Sequence, residues 1–149
     1  MSDAHHPAVR ATLQQDYRFD NAFGTGQGTL QSDLGPPLGQ GAGPDPEQLL
    51  AAAVANCLSA SLLFALRKFK QEPLSVSTEV GVEAGRNAEN RVRVLGMSAR
   101  ITLGVPPTGL EHLDRVLATF EEFCTVTASV RAAIPVTVTV FDTTGQQLK

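Results

Sequence analysis

Apolar and polar positions alternate from residue 9 to residue 30 on either side of a glycine-rich stretch, AFGTGQG (22–28), which predicts two strands around a turn. The alternation ends at DLGPPLGQGAGPDP (33–46), where seven Gly or Pro ahead of Asp45 forbid regular structure. Such a loop either links two parts of a protein or lies over a site. Residues 46–69 then carry no helix breaker, and Ala, Val, Leu and Phe occupy nearly every face as far as Leu66. Asp45 is a good N-cap, Pro46 suits the first helical position and Gln48 completes an Asp-x-x-Gln capping box. A helix apolar on every side is expected to be buried on every side. The basic residues Arg67, Lys68 and Lys70 suit the negative end of its dipole.

After Pro73 the period becomes two. Val76, Thr78, Val80 and Val82 alternate with Ser75, Ser77, Glu79 and Gly81, and a second run covers 91–105 beyond a Gly-Arg-Asn turn region, so the two predict a hairpin. PPTGLEHL (106–113) reads as the start of a second helix with Thr108 and Glu111 as its capping box. Leu110, Leu113, Val116, Leu117, Phe120 and Cys124 repeat at helical spacing and predict one buried stripe. A short helical piece follows to Arg131, and residues 134–141 alternate as a closing strand. Strands, long helix, strands, helix and strand make an α+β chain, read as a single domain over 1–149 with residues 1–8 a loose terminus. A fully apolar helix of this length needs more cover than one such chain readily supplies, and a homodimer is the economical source.

Composition narrows the partners. The 149 residues are 42% hydrophobic and 18% charged with a net charge of −3, which describes a globular chain without a basic stripe. Neither nucleic acid nor an anionic membrane is an expected partner. The absence of Trp and the single Tyr leave little for stacking on bases. The N-terminal sequence has no continuous apolar segment of the secretory kind, and residues 49–66 carry Asn56, Ser59 and Ser61 at their centre, as a core helix does and a membrane span seldom does. A cytoplasmic location is expected, and there two cysteines are more often catalytic, metal-binding or inert than disulfide-bonded structural elements. The three histidines do not cluster with them: His5 and His6 lie in the terminus and His112 on an exposed-looking helix face. No metal and no cofactor is expected. GTGQG (24–28) lacks the strand-to-helix setting of a dinucleotide site, and no GKS/GKT, HExxH or GxSxG motif occurs.

The chemistry therefore turns on Cys57 and Cys124, 67 positions apart and each on an apolar helix face. On pattern alone both read as small core hydrophobes; the sharper alternative is a peroxidatic thiol with its resolving partner. The second role needs a cation or hydrogen-bond donors to lower the nucleophile's pKa. GPDPEQLLAAAVANCLSASL (43–62) resembles the Pro-x-Glu-x-Leu-Leu-(Ala-rich)-Cys signature of the OsmC/Ohr family, and FCTVTASVRAAIPVTV (123–138) resembles its second-cysteine helix and closing strand. The resemblance implies an OsmC-like fold, with a long buried central helix and a second helix packed with antiparallel sheets, and an intertwined homodimer with shared sites. It further implies that a hydroperoxide, organic or hydrogen peroxide, is reduced by Cys57, that Cys124 resolves the sulfenic acid and that an external dithiol, in relatives often a dihydrolipoyl protein, restores both thiols. Glu47 matches the carboxylate that orients an activating arginine, although a first-turn carboxylate also simply favours the helix dipole. Ten helical residues rise about 15 Å, so in a continuous helix Glu47 serves a cysteine only across a dimer. The stretches where relatives usually carry the arginine, 24–28 and 35–43, contain none here. Arg18, in DYRFD, and Arg131, in SVRAAIPV, remain as candidates, each with an ordinary surface or helix-end role as the alternative. The missing arginine keeps open a second function: a binding module for a small apolar ligand, with its cysteines as core residues or slow redox sensors.

Overall fold

The computed structural model describes residues 7–149 except Thr25; His5 and His6 lie outside the described residues. The chain forms two compact units, one ending at Leu49 and the other spanning Leu50–Lys149.

The first unit holds three antiparallel strands in the order β1-β2-β3: β1 (Val9–Gln15), β2 (Arg18–Phe23) and β3 (Thr29–Ser32). Two strands were expected here. The third arises because Asp16 adopts φ 50°, a left-handed conformation that Asp tolerates, and the chain reverses at once between Gln15 and Arg18. The glycine-rich turn is where it was expected, closed by the Phe23 N–H donating to Gly28 O at 3.2 Å, with Gly28 at φ 87°. Registers Val9↔Phe23, Leu13↔Phe19 and Asn21↔Leu30 collect the apolar side chains on one face. Val9 and Leu13 stay more than half exposed on that face, whereas Asn21 and Ser32 on it are buried. Beyond β3 the Gly/Pro loop wraps Asp33. Asp33 Oδ2 accepts the N–H groups of Gln40 and Ala42, both at 3.1 Å, and a Cβ at Gly39 would sit 2.3 Å from Asp33 Oδ1.

α1 (Pro46–Lys68) begins as the capping box dictates: Asp45 Oδ1 accepts from the Gln48 N–H at 2.7 Å and Gln48 Oε1 from the Asp45 N–H at 3.0 Å. In the second unit a sheet ordered β4-β5-β6 joins β4 (Val76–Arg86), β5 (Val92–Leu103) and β6 (Val136–Phe141). β4 and β5 form the predicted antiparallel hairpin, whereas β6 lies parallel to β5 from Met97↔Val136 to Thr102↔Phe141. Parallel pairing needs a long crossover, here residues 104–135. Val54, Leu58, Leu62 and Leu66 of α1 meet Met97, Ala99, Ile101 and Leu103 of β5, residues two apart on one strand face, in a single core with Val116, Phe120 and Val140. By length and composition α1 could cross a bilayer, yet those four α1 residues are wholly buried in this core.

Within one chain α1 is buried on one side, and Ala52, Ala53, Asn56, Ala60 and Phe64 are exposed. One expectation fails: the segment after Val105 is not one helix. It makes a 3₁₀ turn (Pro107–Gly109), restarts as α2 (Leu113–Thr119), tightens to a second 3₁₀ turn (Phe120–Phe123) and resumes as α3 (Thr125–Val130). The Thr108–Glu111 capping box does not form. His112, exposed and at φ 58°, takes the N-cap position without a side-chain bond, while the Glu111 N–H donates to Gln71 Oε1 at 3.0 Å. Thr, Phe, Val and Cys in 119–127 are weak helix formers, so packing outweighs helical continuity. Leu110, Val116, Leu117, Phe120 and Cys124 are buried nonetheless; the side-chain pattern holds and the backbone pattern does not.

Candidate active site

Cys57 occupies the middle of α1 and is half-buried; Cys124 is wholly buried at the junction of the second 3₁₀ turn and α3. That junction explains why the two approach. Cys124 has φ −89° and ψ 89°, so the chain turns there and α3 begins with N–H groups that have no carbonyl of their own helix to bond. The Val126 N–H donates to Cys57 Sγ at 3.4 Å, and the Thr127 N–H and the Ser61 hydroxyl, one turn along α1, favour its ionised form as well. The Cys124 thiol faces two acceptors, Thr127 Oγ1 at 2.9 Å and Cys57 Sγ. Its single proton can serve only one at a time. With Cys57 neutral the Thr127 hydroxyl accepts it; with Cys57 ionised the thiolate is the stronger acceptor.

The two thiols are pushed apart in acidity. Burial works against ionising Cys57, but hydrogen bonds from the Cys124 thiol, the Val126 and Thr127 N–H groups and Ser61 outweigh it and hold Cys57 below the usual thiol range. Burial pushes Cys124 up, its bond to Cys57 pushes further, and Thr127 offsets only part of the rise. The first proton therefore leaves the pair from Cys57, and Cys124 keeps its own. Each group that lowers Cys57 is a neutral donor.

Each candidate arginine lies near a carboxylate of its own unit. In the first unit Arg18 Nε lies 3.8 Å from Asp33 Oδ2, and Asp33 is almost wholly buried. The Ala42 N–H is the main cause that holds its carboxyl below the usual range, against burial and with help from Gln40 and Arg18. Arg131 Nε donates to Val136 O at 3.1 Å and its Nη2 pairs with Glu121. Glu47 is in the first turn of α1, half-buried, and among the described residues its side chain makes no hydrogen bond or ion pair. Among the described residues no three His, Cys, Asp or Glu side chains converge as a metal site requires.

Two of the four donors to Cys57 escaped sequence reasoning because they are backbone groups. Ser61 was legible in principle, four residues after Cys57 on the same helix face. The N–H groups of Val126 and Thr127 were not, since a continuous helix through Cys124 would have used them internally. Asp33 had a faint signal: an acid at the mouth of a Gly/Pro loop whose N–H groups need an acceptor.

A family model described as "OsmC-like protein" matches residues 39–139. Solved structures agree over nearly the whole chain. An OsmC-like protein of unknown function from Vibrio cholerae superposes with a TM-score of 0.78 at 17% identity, covering 93% of this chain and 100% of that one. A protein from Legionella pneumophila described as an organic hydroperoxide resistance protein OsmC and predicted redox protein gives 0.72 at 20% identity, over 93% and 98%. The organic hydroperoxide resistance protein OhrB of Bacillus subtilis gives 0.69 at 18%, over 91% and 98%. No curated protein matches the chain.

Proposed function

Because the chain belongs to the OsmC-like family, we propose that it is a thiol-dependent peroxidase that reduces organic hydroperoxides and, less readily, hydrogen peroxide. The observation that carries this is Cys57, held below the usual thiol range by neutral donors beside a second, less acidic thiol. The Cys57 thiolate attacks one peroxide oxygen, the O–O bond breaks, and the alkoxide takes a proton and leaves as alcohol. Cys57 is then a sulfenic acid. The Cys124 thiol condenses with it, releasing water and forming a Cys57–Cys124 disulfide, and an external dithiol, such as a dihydrolipoyl protein, reduces that bond by exchange.

The working form is a homodimer. The exposed apolar face of α1 and the exposed Val9 and Leu13 of the first sheet support this, since both are surfaces a second copy would bury. Glu47 and Arg18 are proposed to act on Cys57 of the partner. The uninterrupted helix spaces Glu47 about 15 Å along the axis from the Cys57 of its own chain.

Adding cumene hydroperoxide to the reduced protein and mapping peptides by mass spectrometry tests the proposal. A 57–124 disulfide is the expected product, and thiols that stay free under excess peroxide overturn it. The engagement of Arg18 with Asp33 and of Arg131 with Glu121 favours a second reading, a slow redox sensor or binder of a small apolar ligand. Ligand binding retained in Cys57→Ser, together with negligible peroxide consumption by the wild type, would select it.

A further inference from the structure

α3 is six residues long, too short to persist by itself, yet its first N–H groups must stay on Cys57 Sγ for the thiol to keep them. One side chain ties α3 at both ends. Arg131 caps its C-terminus and reaches back with Nη2 to Glu121, on the 3₁₀ turn that precedes Cys124, and forward with Nε to Val136 O, the first residue of β6. β6 is fixed in turn by its ladder to β5 in the core. Glu121 is mostly buried, with Lys149 Nζ at 2.5 Å as its other partner. Arg131 lies five residues beyond Val126, about 7.5 Å along the helix, and its Nε and Nη2 are taken by Val136 and Glu121, so its action on the thiol runs through the backbone it holds.

We propose that Arg131 is a positioning residue for Cys57: its double tie to Glu121 and Val136 fixes α3 so that the Val126 and Thr127 N–H groups stay aimed at the thiol. An arginine on this chain then serves the reactive cysteine without facing it. Lysine cannot replace it fully, because one ammonium does not reproduce the two-armed fork. The charged and titratable groups around the assembly are Glu121 and Lys149 beside Arg131 and Cys124 beside Cys57.

Resting on the reactive-thiol reading above but not on peroxide turnover, the inference is tested by iodoacetamide alkylation of reduced protein from pH 5 to 10. Modification of Cys57 is read by peptide mass spectrometry, alongside circular dichroism and Tm. Arg131→Gln is expected to slow Cys57 alkylation at pH 7 roughly tenfold, the equivalent of one unit in thiol acidity. Arg131→Lys is expected to fall between it and wild type. Ile101→Val, a core change on β5 that leaves the Arg131 ties intact, is expected to lower Tm and leave the Cys57 pH profile in place. A folded Arg131→Gln with an unmoved profile overturns the inference. So does an equal shift in Ile101→Val, which would make the effect one of general stability. Should Arg131→Gln not fold, Arg131→Lys decides by the same profile. A wild-type Cys57 that alkylates no faster than Cys124 would instead sink the reactive-thiol reading itself, before any variant is made.

Discussion

α1 and the segment from residue 107 to 130 carry the two cysteines, and they are built in opposite ways. α1 is one uninterrupted helix of 23 residues with both capping-box bonds made. The other segment has a comparable apolar stripe but breaks into two 3₁₀ turns and two short helices. An unbroken helix uses its backbone N–H groups internally and has none to offer a neighbour. A broken one releases several. The thiol on the regular element is therefore made acidic by donors from the irregular one, and the thiol at the break keeps its proton.

The comparison is tested most severely by exchanging the cysteines' roles. Cys57→Ser is expected to reduce peroxide-dependent thiol oxidation to background. Cys124→Ala should leave a Cys57 sulfenic acid that dimedone traps, and should slow Cys57 alkylation near neutral pH because one donor is lost. A sulfenic acid trapped on residue 124 in place of 57 would reverse the assignment.

Proline substitutions probe the helices themselves. Ala55→Pro, inside α1, is expected to cost about 3 kcal/mol or more in chemical denaturation, since it removes a ladder bond and clashes with the preceding turn. Thr125→Pro sits at the first position of α3, after a residue in non-helical geometry, and is expected to change stability by less than about 0.5 kcal/mol. Equal costs at the two sites would mean that the break at Cys124 does not exist in solution.

Two smaller effects sharpen the picture. Thr127→Val keeps shape but deletes the acceptor of the Cys124 thiol, and is expected to cost about 1 kcal/mol by thermal melting. Asp45→Ala should cost a similar ~1 kcal/mol through the lost N-cap, with no change in thiol reactivity.

The smallest expected effect is in acid. Burial raises the Glu121 carboxyl, but the bonds to Lys149 and Arg131 outweigh it and hold the group below its usual range. A depressed acid contributes stability in full above its unfolded value, about 4.3, and that contribution is lost as pH falls through the folded value. Glu121→Gln is therefore expected to lower Tm at pH 7 and to flatten the loss of Tm between pH 7 and 3, by under ~1 kcal/mol after solvent screening. An unchanged acid slope would remove the ion pairs from the account.

The hairpin, the capped helix, the closing strand and the Gly/Pro loop were all legible, because each is written in local spacing or in residues with restricted backbones. The third N-terminal strand was not, since it depends on one Asp entering the left-handed region. Nor was the broken helix: the stripe of Leu110, Val116, Leu117, Phe120 and Cys124 satisfies both a continuous and an interrupted backbone. The parallel placement of β6 left no local mark either.

The sequence by itself determined the α+β order, the start of α1, the apolar core and the two cysteines, because periodicity and capping act over a few residues. Tertiary structure alone decided where the second helix breaks and which backbone N–H groups Cys57 receives. It also turned Arg18 to Asp33 and Arg131 to Glu121 and Val136. Those choices depend on groups up to 69 residues apart, and a hydrogen bond between backbone and side chain at that separation leaves no periodic trace in the chain. The cation expected beside Cys57 was thus looked for among side chains, while two of the four donors that reach the thiol come from the main chain.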